Sequence, residues 1–413
     1  MRLLKAFKWL YPGMWVKRWI LLAVFGVIMI SMGFVTVILE QNPRNKTFAG
    51  IIIILGILSV ITGVKRIIKS FVTILLPQRE GELVDKVYQM RILERWAKIV
   101  VIGGGTGLST LLHGLKEYTS NITAIVTVAD DGGSSGRLRQ DFDVLPPGDI
   151  RNCLVALADA EPLMGKLFQF RFEEGSSLSG HSFGNLFITA MSKVTGDFEA
   201  AIKESSKVLA IRGSVVPSTL EKVVLTAEHA DGSETVGESQ IPKANSPVKR
   251  IHLRPVNCKA TDEAIDAIRK ADAIVLGPGS LFTSIMPNLL VGRVYHEMLS
   301  SKAIKMYVTN VMTQKGETDG YKASDHLRAI VEHTAPGIIE YCIVNTAKIP
   351  PEMLQKYKGE GSYPVAADSE NLKRMRSKVI EAHIVSTRDY VRHDAGKLAK
   401  LIIDLVASLK KAR

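Results

Sequence analysis

Cysteine is scarce in this 413-residue sequence. Its three cysteines, Cys153, Cys258 and Cys342, lie far apart and form no CxxC pair. That excludes a disulfide framework and a cysteine zinc site, and it suits a reducing compartment. Cys153 reads as a small buried hydrophobe. Aromatic residues make up only 7% of the chain, and from residue 98 on they do not interleave with basic clusters, as a nucleic-acid module would require. The one dense basic run, Lys373-Arg374-Met375-Arg376 with Lys378 beside it, reads as a solvated helix face. Internal repeats and low-complexity tracts are missing as well.

Acidic residues are thin at the N-terminus. The first 97 residues carry 14 Lys/Arg against 5 Asp/Glu, so +9 of the +12 formal charge lies there. A basic balance of this kind points to a membrane surface. Residues 19–39 and 47–64 contain no charge at all. A bilayer core takes roughly 20 apolar residues per helix, so both stretches read as spans of a two-helix hairpin covering residues 1–69. Arg2, Lys5, Lys8, Lys17 and Arg18 precede the first span, and Lys65, Arg66 and Lys69 follow the second. The connection between the spans has only Arg44 and Lys46. The positive-inside rule then puts both termini and the main domain in the cytoplasm, in a two-span protein of the cell membrane. Trp9, Tyr11, Trp15 and Trp19 are expected at headgroup level. Residues 70–97, broken at Pro77, read as an amphipathic connector.

From residue 98 the pattern changes to alternating short apolar runs and helical periods, the signature of a doubly wound, mostly parallel α/β sheet. The run 98–102 reads as a buried strand. It leads into Gly103-Gly104-Gly105-Thr106-Gly107 and a helix marked by Leu108, Leu111, Leu112 and Leu115. A strand, a glycine turn and a helix start aim backbone N–H groups and the helix dipole at an anion. The dinucleotide pattern GxGxxG is broken, because Thr110 stands where its last glycine belongs. A nicotinamide-dependent oxidoreductase is therefore disfavoured. A second strand, 122–128, runs into Asp130 and Asp131, the position that holds a ribose hydroxyl in dinucleotide-binding folds. Gly132-Gly133-Ser134-Ser135-Gly136-Arg137 follows and reads as a donor-rich loop with guanidinium groups suited to pyrophosphate. The segment 145–152 adds Asp149, Arg151 and Asn152 in what reads as a further loop. Asp130, Asp131 and Asp149 have the chemistry to share Mg²⁺ beside a pyrophosphate, with Asp130 and Asp149 the preferred pair.

The second half repeats the arrangement without repeating the sequence. A Thr261-capped helix and a strand at 273–276 lead into Gly277-Pro278-Gly279-Ser280 and another helix. This implies either two crevices or one crevice approached from both sides. A strand at 306–309 ends in Asn310, followed by Thr313 and Gln314. Residues 211–255 read as a small β excursion on the main sheet, containing a hairpin. His181 reads as a hydrogen-bonding loop histidine, and Asp394 as the N-cap of a C-terminal helix.

Several motifs, in order, resemble the CofD/YvcK-like family: GGGTGLS, ADDGGSSGRLR, LPPGDIRN, HSFGN (His181 to Asn185) and LGPGSLFTS (ending at Ser284). The resemblance covers residues 98–413. One branch of that family is the 2-phospho-lactate transferase of deazaflavin cofactor synthesis. The other is the YvcK-type gluconeogenesis factor, described as a UDP-sugar-binding regulator of envelope synthesis, cell shape and carbon metabolism. GGSSGRLR and PGDIRN belong to the second branch, and the PDLDT-like segment of the transferase branch is absent. The resemblance thus implies a sensor of UDP-sugar, with UDP-N-acetylglucosamine the expected ligand and envelope-synthesis proteins the expected partners; a homo-oligomer is compatible with it. It assigns the nucleotide site to Gly103 through Gly107, Asp130, Asp131, Gly132, Gly133, Ser134, Ser135, Arg137, Asp149, Asn152, His181, Asn185, Gly277, Gly279, Ser280, Asn310, Thr313 and Gln314. The alternative is a transferase of a phosphoryl-linked group. There Asp130 or Asp149 would position metal and acceptor, and Arg137 or Arg151 would stabilise developing charge. The membrane hairpin departs from the family pattern, in which many members are wholly cytosolic.

Overall fold

The computed structural model describes residues 16–75, 93, 96–159, 162–173, 175, 177–244, 246–387 and 390–412. The chain divides into two compact units, Met1–Arg91 and Ile92–Arg413. In the first unit, helices Val16–Leu39 and Pro43–Leu75 form an antiparallel pair. The second helix begins four residues before the expected span and continues past Lys65, Arg66 and Lys69. Both helices are long and apolar enough to cross a membrane, and large side chains such as Leu21, Ile38 and Leu58 are exposed along them. Small residues set the spacing. A Cβ on Gly26 would stand 2.6 Å from the Gly56 carbonyl oxygen, and one on Gly63 2.8 Å from that of Trp19. Without a hydrophobic force between helices in lipid, close backbone contact and interhelical hydrogen bonds hold such a pair. Ser59 Oγ donates one to the Leu22 carbonyl at 3.1 Å. Most of the expected connector at 70–97 lies outside the described residues, as do Arg2, Lys5, Lys8, Trp9, Tyr11 and Trp15.

The second unit is built on strands β1 (Ile99–Gly103), β2 (Ile122–Val126) and β3 (Ser214–Pro217), then β4 (Val224–His229), β5 (Glu234–Val236) and β6 (Val248–Arg254). β7 (Ala273–Leu276), β8 (Ile304–Val308), β9 (Tyr341–Asn345) and β10 (Lys378–Ala382) follow, with β11 (Val385–Ser386) and β12 (Arg392–His393) near the end. Seven strands make one parallel sheet in the order β10-β9-β8-β7-β1-β2-β3. β1, β7 and β8 are buried throughout; β1 and β7 read as unbroken apolar runs for that reason, while β8 carries Lys305, whose Nζ donates to Glu340 Oε1 at 3.2 Å. The chain winds outward from β1 in one direction and from β7 in the other. The gap between their carboxyl ends is the topological switch point, where α/β sheets bind ligands.

Two segments expected as loops are helices. Gly133–Phe142 starts directly after Gly132. Its glycines and serines are poor helix formers, but packing overrides propensity: Leu138 is buried, and Gly136 sits where a Cβ would meet the Asp131 carbonyl at 1.9 Å. Gly148–Leu157 likewise starts on Asp149's turn, with Pro147 before it. Its buried Ile150, Cys153, Leu154 and Leu157 fall at helical spacing. The β excursion also differs from expectation. Only β3 joins the main sheet, while β5-β4-β6 form an antiparallel sheet of their own. His229 pins that sheet, with Nε2 2.8 Å from Thr235 Oγ1 and Nδ1 2.8 Å from the Ser246 carbonyl.

The C-terminal helix Ala395–Ala412 packs on the helix Gly105–Leu115 that follows the first glycine turn. Asp394 Oδ1 accepts the Lys397 N–H at 2.9 Å, as an N-cap does. The two helices touch at Gly114, where a Cβ would lie 2.1 Å from the Ala395 carbonyl oxygen. Gly114→Ala should therefore lower stability by about 1–3 kcal/mol through overpacking, read as a lower unfolding midpoint. An unchanged midpoint would mean that this helix pair tolerates a wider separation.

Candidate functional site

Both glycine turns open onto one crevice of about 590 Å³. The reason is registry: β1 and β7 are hydrogen-bonded neighbours, so their carboxyl-end turns sit side by side. The Gly277 N–H donates to the Ile102 carbonyl at 2.9 Å, and the turns come closer still at Gly107, whose missing Cβ would stand 2.6 Å from the Pro278 carbonyl oxygen. Asn288 Nδ2 ties the floor together by donating to the carbonyls of Gly103 at 3.0 Å and Ser284 at 2.7 Å. Gly105 has φ 66°, a region that glycine enters without steric cost. Its N–H is held by the Asp149 carboxylate, leaving the following helix-start N–H groups of Thr106 and Gly107 for a ligand. On the β8 side, Asn310 Nδ2 donates to Gln314 Oε1 at 3.3 Å, and Gln314 Nε2 donates to Ser280 Oγ at 2.6 Å. That relay joins the third strand end to the second turn. The Asn310 Oδ1 atom is buried without a partner.

One end of the crevice is acidic. Asp130, Asp149 and Glu238 line it. Asp130 Oδ1 accepts the Gly132 N–H at 2.9 Å, and burial raises its pKa against that bond. Burial, then the charge of Asp130, pushes Asp149 up to about 7. Burial, followed by repulsion from Asp130, Asp131, Glu317 and Asp149, pushes Glu238 up to about 8. Glu317 lies behind the wall, bonded to Thr283 Oγ1 at 3.2 Å, and burial pushes it up to about 7. Tyr390, Val391, Arg392 and His393, on and beside β12, also line the crevice. His393 Nε2 is 3.1 Å from the Thr309 carbonyl, and burial holds its pKa down at about 4. The neutral ring therefore donates this bond at neutral pH. The Val391 N–H donates to Tyr357 Oη at 2.9 Å. Between these anchors the Arg392 guanidinium lies 5.1 Å from the centre of the Tyr390 ring. Among the described residues, Arg392 is the only Lys or Arg lining the crevice.

A family model described as 2-phospho-L-lactate transferase CofD matches residues 99–385. The chain belongs to the CofD-like family. It is 52% identical over 310 residues to the gluconeogenesis factor of Bacillus subtilis, covering 75% of this chain and 98% of that one. A gluconeogenesis-factor-type relative from Nostoc is 48% identical over 420 residues, 96% of this chain and 92% of its own. The fold agrees with a crystal structure from Bacillus halodurans at TM-score 0.73 and 50% identity, covering 75% of this chain and all of that one. A second crystal structure of that protein describes it as a member of the UPF0052 family. Within the CofD-like family this chain thus falls with the gluconeogenesis factors (YvcK).

Ten of the residues expected at the nucleotide site line the CofD-like crevice: Gly104, Gly105, Thr106, Gly107, Asp130, Asp149, Gly279, Ser280, Asn310 and Gln314. Others stand behind the wall and hold it. Gly103 ends β1, and its carbonyl receives Asn288. Gly132 and Ser135 bond to Asp130. Asp131 accepts the Ser239 N–H at 2.9 Å. Thr313 is paired with Tyr363 through its N–H and its Oγ1, and Gly277 turns the chain at φ 76°. Gly133 occupies the first position of its helix. The remaining residues form a polar network one layer away. Ser134 Oγ meets His181 Nδ1 at 3.0 Å and takes a hydrogen bond from Asn185 Nδ2 at 3.1 Å. Arg151 donates to Ser182 Oγ at 2.5 Å and to Asn152 Oδ1 at 2.6 Å. Arg137 points outward and donates to the Ser179 carbonyl at 2.7 Å.

Sequence reading missed Glu238, Tyr390 and Arg392. None carries a motif, and each reaches the crevice from a segment distant in sequence.

The raised pKa of Glu238 has a stability signature. Below about pH 4.5 its carboxyl is neutral whether the chain is folded or unfolded. From there to about pH 8 the unfolded chain releases the proton more readily, so this group lowers stability as pH rises. Glu238→Gln removes the titration. Its unfolding temperature should exceed that of the wild type by a margin that widens from pH 4.5 to pH 8. A margin independent of pH would place the carboxyl in water.

Proposed function

We propose that this CofD-like protein is a nucleotide-sugar sensor, with UDP-N-acetylglucosamine the expected ligand, acting on envelope synthesis, cell shape and central carbon metabolism. The observation that carries the reading is the pair of glycine turns at one switch point, with Arg392 lining the same crevice. The diphosphate takes the helix-start N–H groups after Gly105 and the turn at Gly279 and Ser280. Arg392 supplies the cation, pre-positioned by the Tyr390 ring. Hydroxyl groups of the ligand fall to the acidic end.

The residues also fit a cation that arrives with the nucleotide. Asp130 and Asp149 are two converging carboxylates, and Mg²⁺ commonly takes one or two carboxylates with the rest from phosphate and water. Among the described residues no group of three or more His, Cys, Asp or Glu forms a dedicated cage. Such an ion would neutralise phosphate charge beside the first glycine turn, where the Asp149 carboxylate holds the Gly105 N–H. The paired apolar helices, with Lys17 and Arg18 at one terminus of the pair and Lys65, Arg66 and Lys69 near the other, support a two-span anchor with the domain in the cytoplasm. The anchor would hold the sensor beside membrane-bound enzymes that consume the same nucleotide sugar.

A transferase activity is the second reading, favoured by one observation. Asp149 and Glu238, with pKa values of about 7 and about 8, lie near the operating pH where proton transfer is efficient.

Calorimetric titration of the purified chain with UDP-N-acetylglucosamine, against GDP and NAD, tests the proposal. Selective binding without turnover is expected. Arg392→Gln should weaken it by about 10- to 100-fold, the worth of a charge-assisted hydrogen bond. Preference for a guanine nucleotide, or consumption of an activated donor, would favour the transferase. Asp130→Asn should lower affinity, and binding that is equal with and without Mg²⁺ in both proteins would remove the cation. Gly105→Ala should lower both affinity and stability, because its φ of 66° strains any side chain.

A further inference from the structure

Glu238 enters the crevice from outside the doubly wound sheet. β5 ends at Val236, Gly237 reverses the chain at φ 102°, and a 3₁₀ turn, Glu238–Lys243, lies against two crevice segments. On one side Asp131 accepts the Ser239 N–H, and a Cβ on Gly237 would stand 2.6 Å from Asp131 Oδ2. On the other side a Cβ on Gly316 would stand 2.1 Å from the Pro242 carbonyl oxygen. The turn is thus held between the segment after β2 and the segment after β8 by approaches that only glycine allows. Its first side chain lines the crevice. Among the described residues the Glu238 carboxyl has no hydrogen-bonding or ion-pair partner.

Charge decides what such a carboxyl faces. Asp130, Asp131, Glu317 and Asp149 act on it through space, and no cation is among the groups that do, so a phosphate beside Glu238 meets several acids. Phosphate oxygens belong instead with the glycine turns and Arg392. The acidic end calls for a neutral group rich in hydrogen-bond donors. Hydroxyl groups meet that requirement, because a carboxyl oxygen accepts from them. A glycosyl group presents several on one rigid ring.

We propose that the accessory β5-β4-β6 sheet is a specificity element, delivering Glu238 to read the hydroxyl-bearing sugar and so set the preference for a nucleotide sugar over the bare nucleotide diphosphate. This inference rests on the nucleotide-sugar reading of the crevice. It also accounts for an insertion that adds nothing to the main sheet beyond β3. A site built to pair with hydroxyl groups discriminates strongly against a ligand that lacks them, since its own polar groups are then left unpaired.

The test uses the full chain in detergent or nanodiscs, titrated with UDP and with UDP-N-acetylglucosamine, in wild type, Glu238→Ala and Glu238→Gln. Lys400→Gln, on an exposed turn of the last helix, serves as the control. The wild type should bind the sugar nucleotide at least about tenfold tighter than UDP. Glu238→Ala should bring that ratio close to one by weakening the sugar nucleotide alone, with UDP bound as tightly as by the wild type. Glu238→Gln keeps an acceptor and should lie between. Thermal unfolding checks that each variant is folded, and Glu238→Gln carries the test if the alanine variant is not. A ratio unchanged in both variants would overturn the assignment while leaving the crevice a nucleotide site. Parallel loss of both ligands, recovered by added Mg²⁺, would make Glu238 a cation ligand and overturn it too. A wild type that binds neither ligand would remove the nucleotide-sugar reading and this inference with it.

Discussion

Gly107 lies so close to the Pro278 carbonyl that a single methyl group would stand 2.6 Å from it. That contact fixes the distance between the two turns, and with it the width of the crevice floor. It exists because β1 and β7 are parallel neighbours whose connections diverge. The buried strands, the Asn288 tether and the Asn310–Gln314–Ser280 relay all hold the two backbone turns side by side. Pre-organised N–H groups bind an anion without the cost of ordering them at the moment of binding.

The electrostatics of the crevice are asymmetric by construction. Three carboxyls gather at one end, where burial and mutual repulsion raise their pKa values. A stacked guanidinium lines the same crevice. The acids arrive from three separate parts of the chain, after β2, at the start of Gly148–Leu157 and from the accessory sheet. Raised carboxyl pKa values cost folding stability at neutral pH, and sites that carry such a cost are commonly functional.

Much of this was legible in the sequence. The glycine turns announced themselves, since only glycine suits a positive φ at Gly105 and a backbone approach at Gly107. The buried parallel strands stood out as short uninterrupted apolar runs, and the uncharged 19–39 and 47–64 stretches as long ones. Other features were hidden by local chemistry. Gly132 through Arg137 has the composition of a loop, yet burial of Leu138 and the fit of Gly136 against Asp131 make it a helix. The period of Ile150, Cys153, Leu154 and Leu157 was present but masked by Pro146-Pro147-Gly148. Arg137 and Arg151 suggested phosphate ligands by their nearness to glycine, whereas the guanidinium on the crevice wall is Arg392, more than two hundred residues from the first turn. No local pattern can reveal a partner that only the winding of the sheet brings near.

Asp394 alone separates β12 from the chain's last helix. That helix is seated on the helix of the first glycine turn through the glycine-to-carbonyl contact at Gly114. His393 meanwhile fastens β12 to the end of β8. The β12 wall and the first turn are thus tied together through the last helix and through β8. The short 3₁₀ turn bearing Glu238 is held differently, by the Asp131–Ser239 hydrogen bond and the glycine approaches at Gly237 and Gly316. One wall of the crevice is thus braced by the end of the chain, and another by a turn borrowed from the accessory sheet.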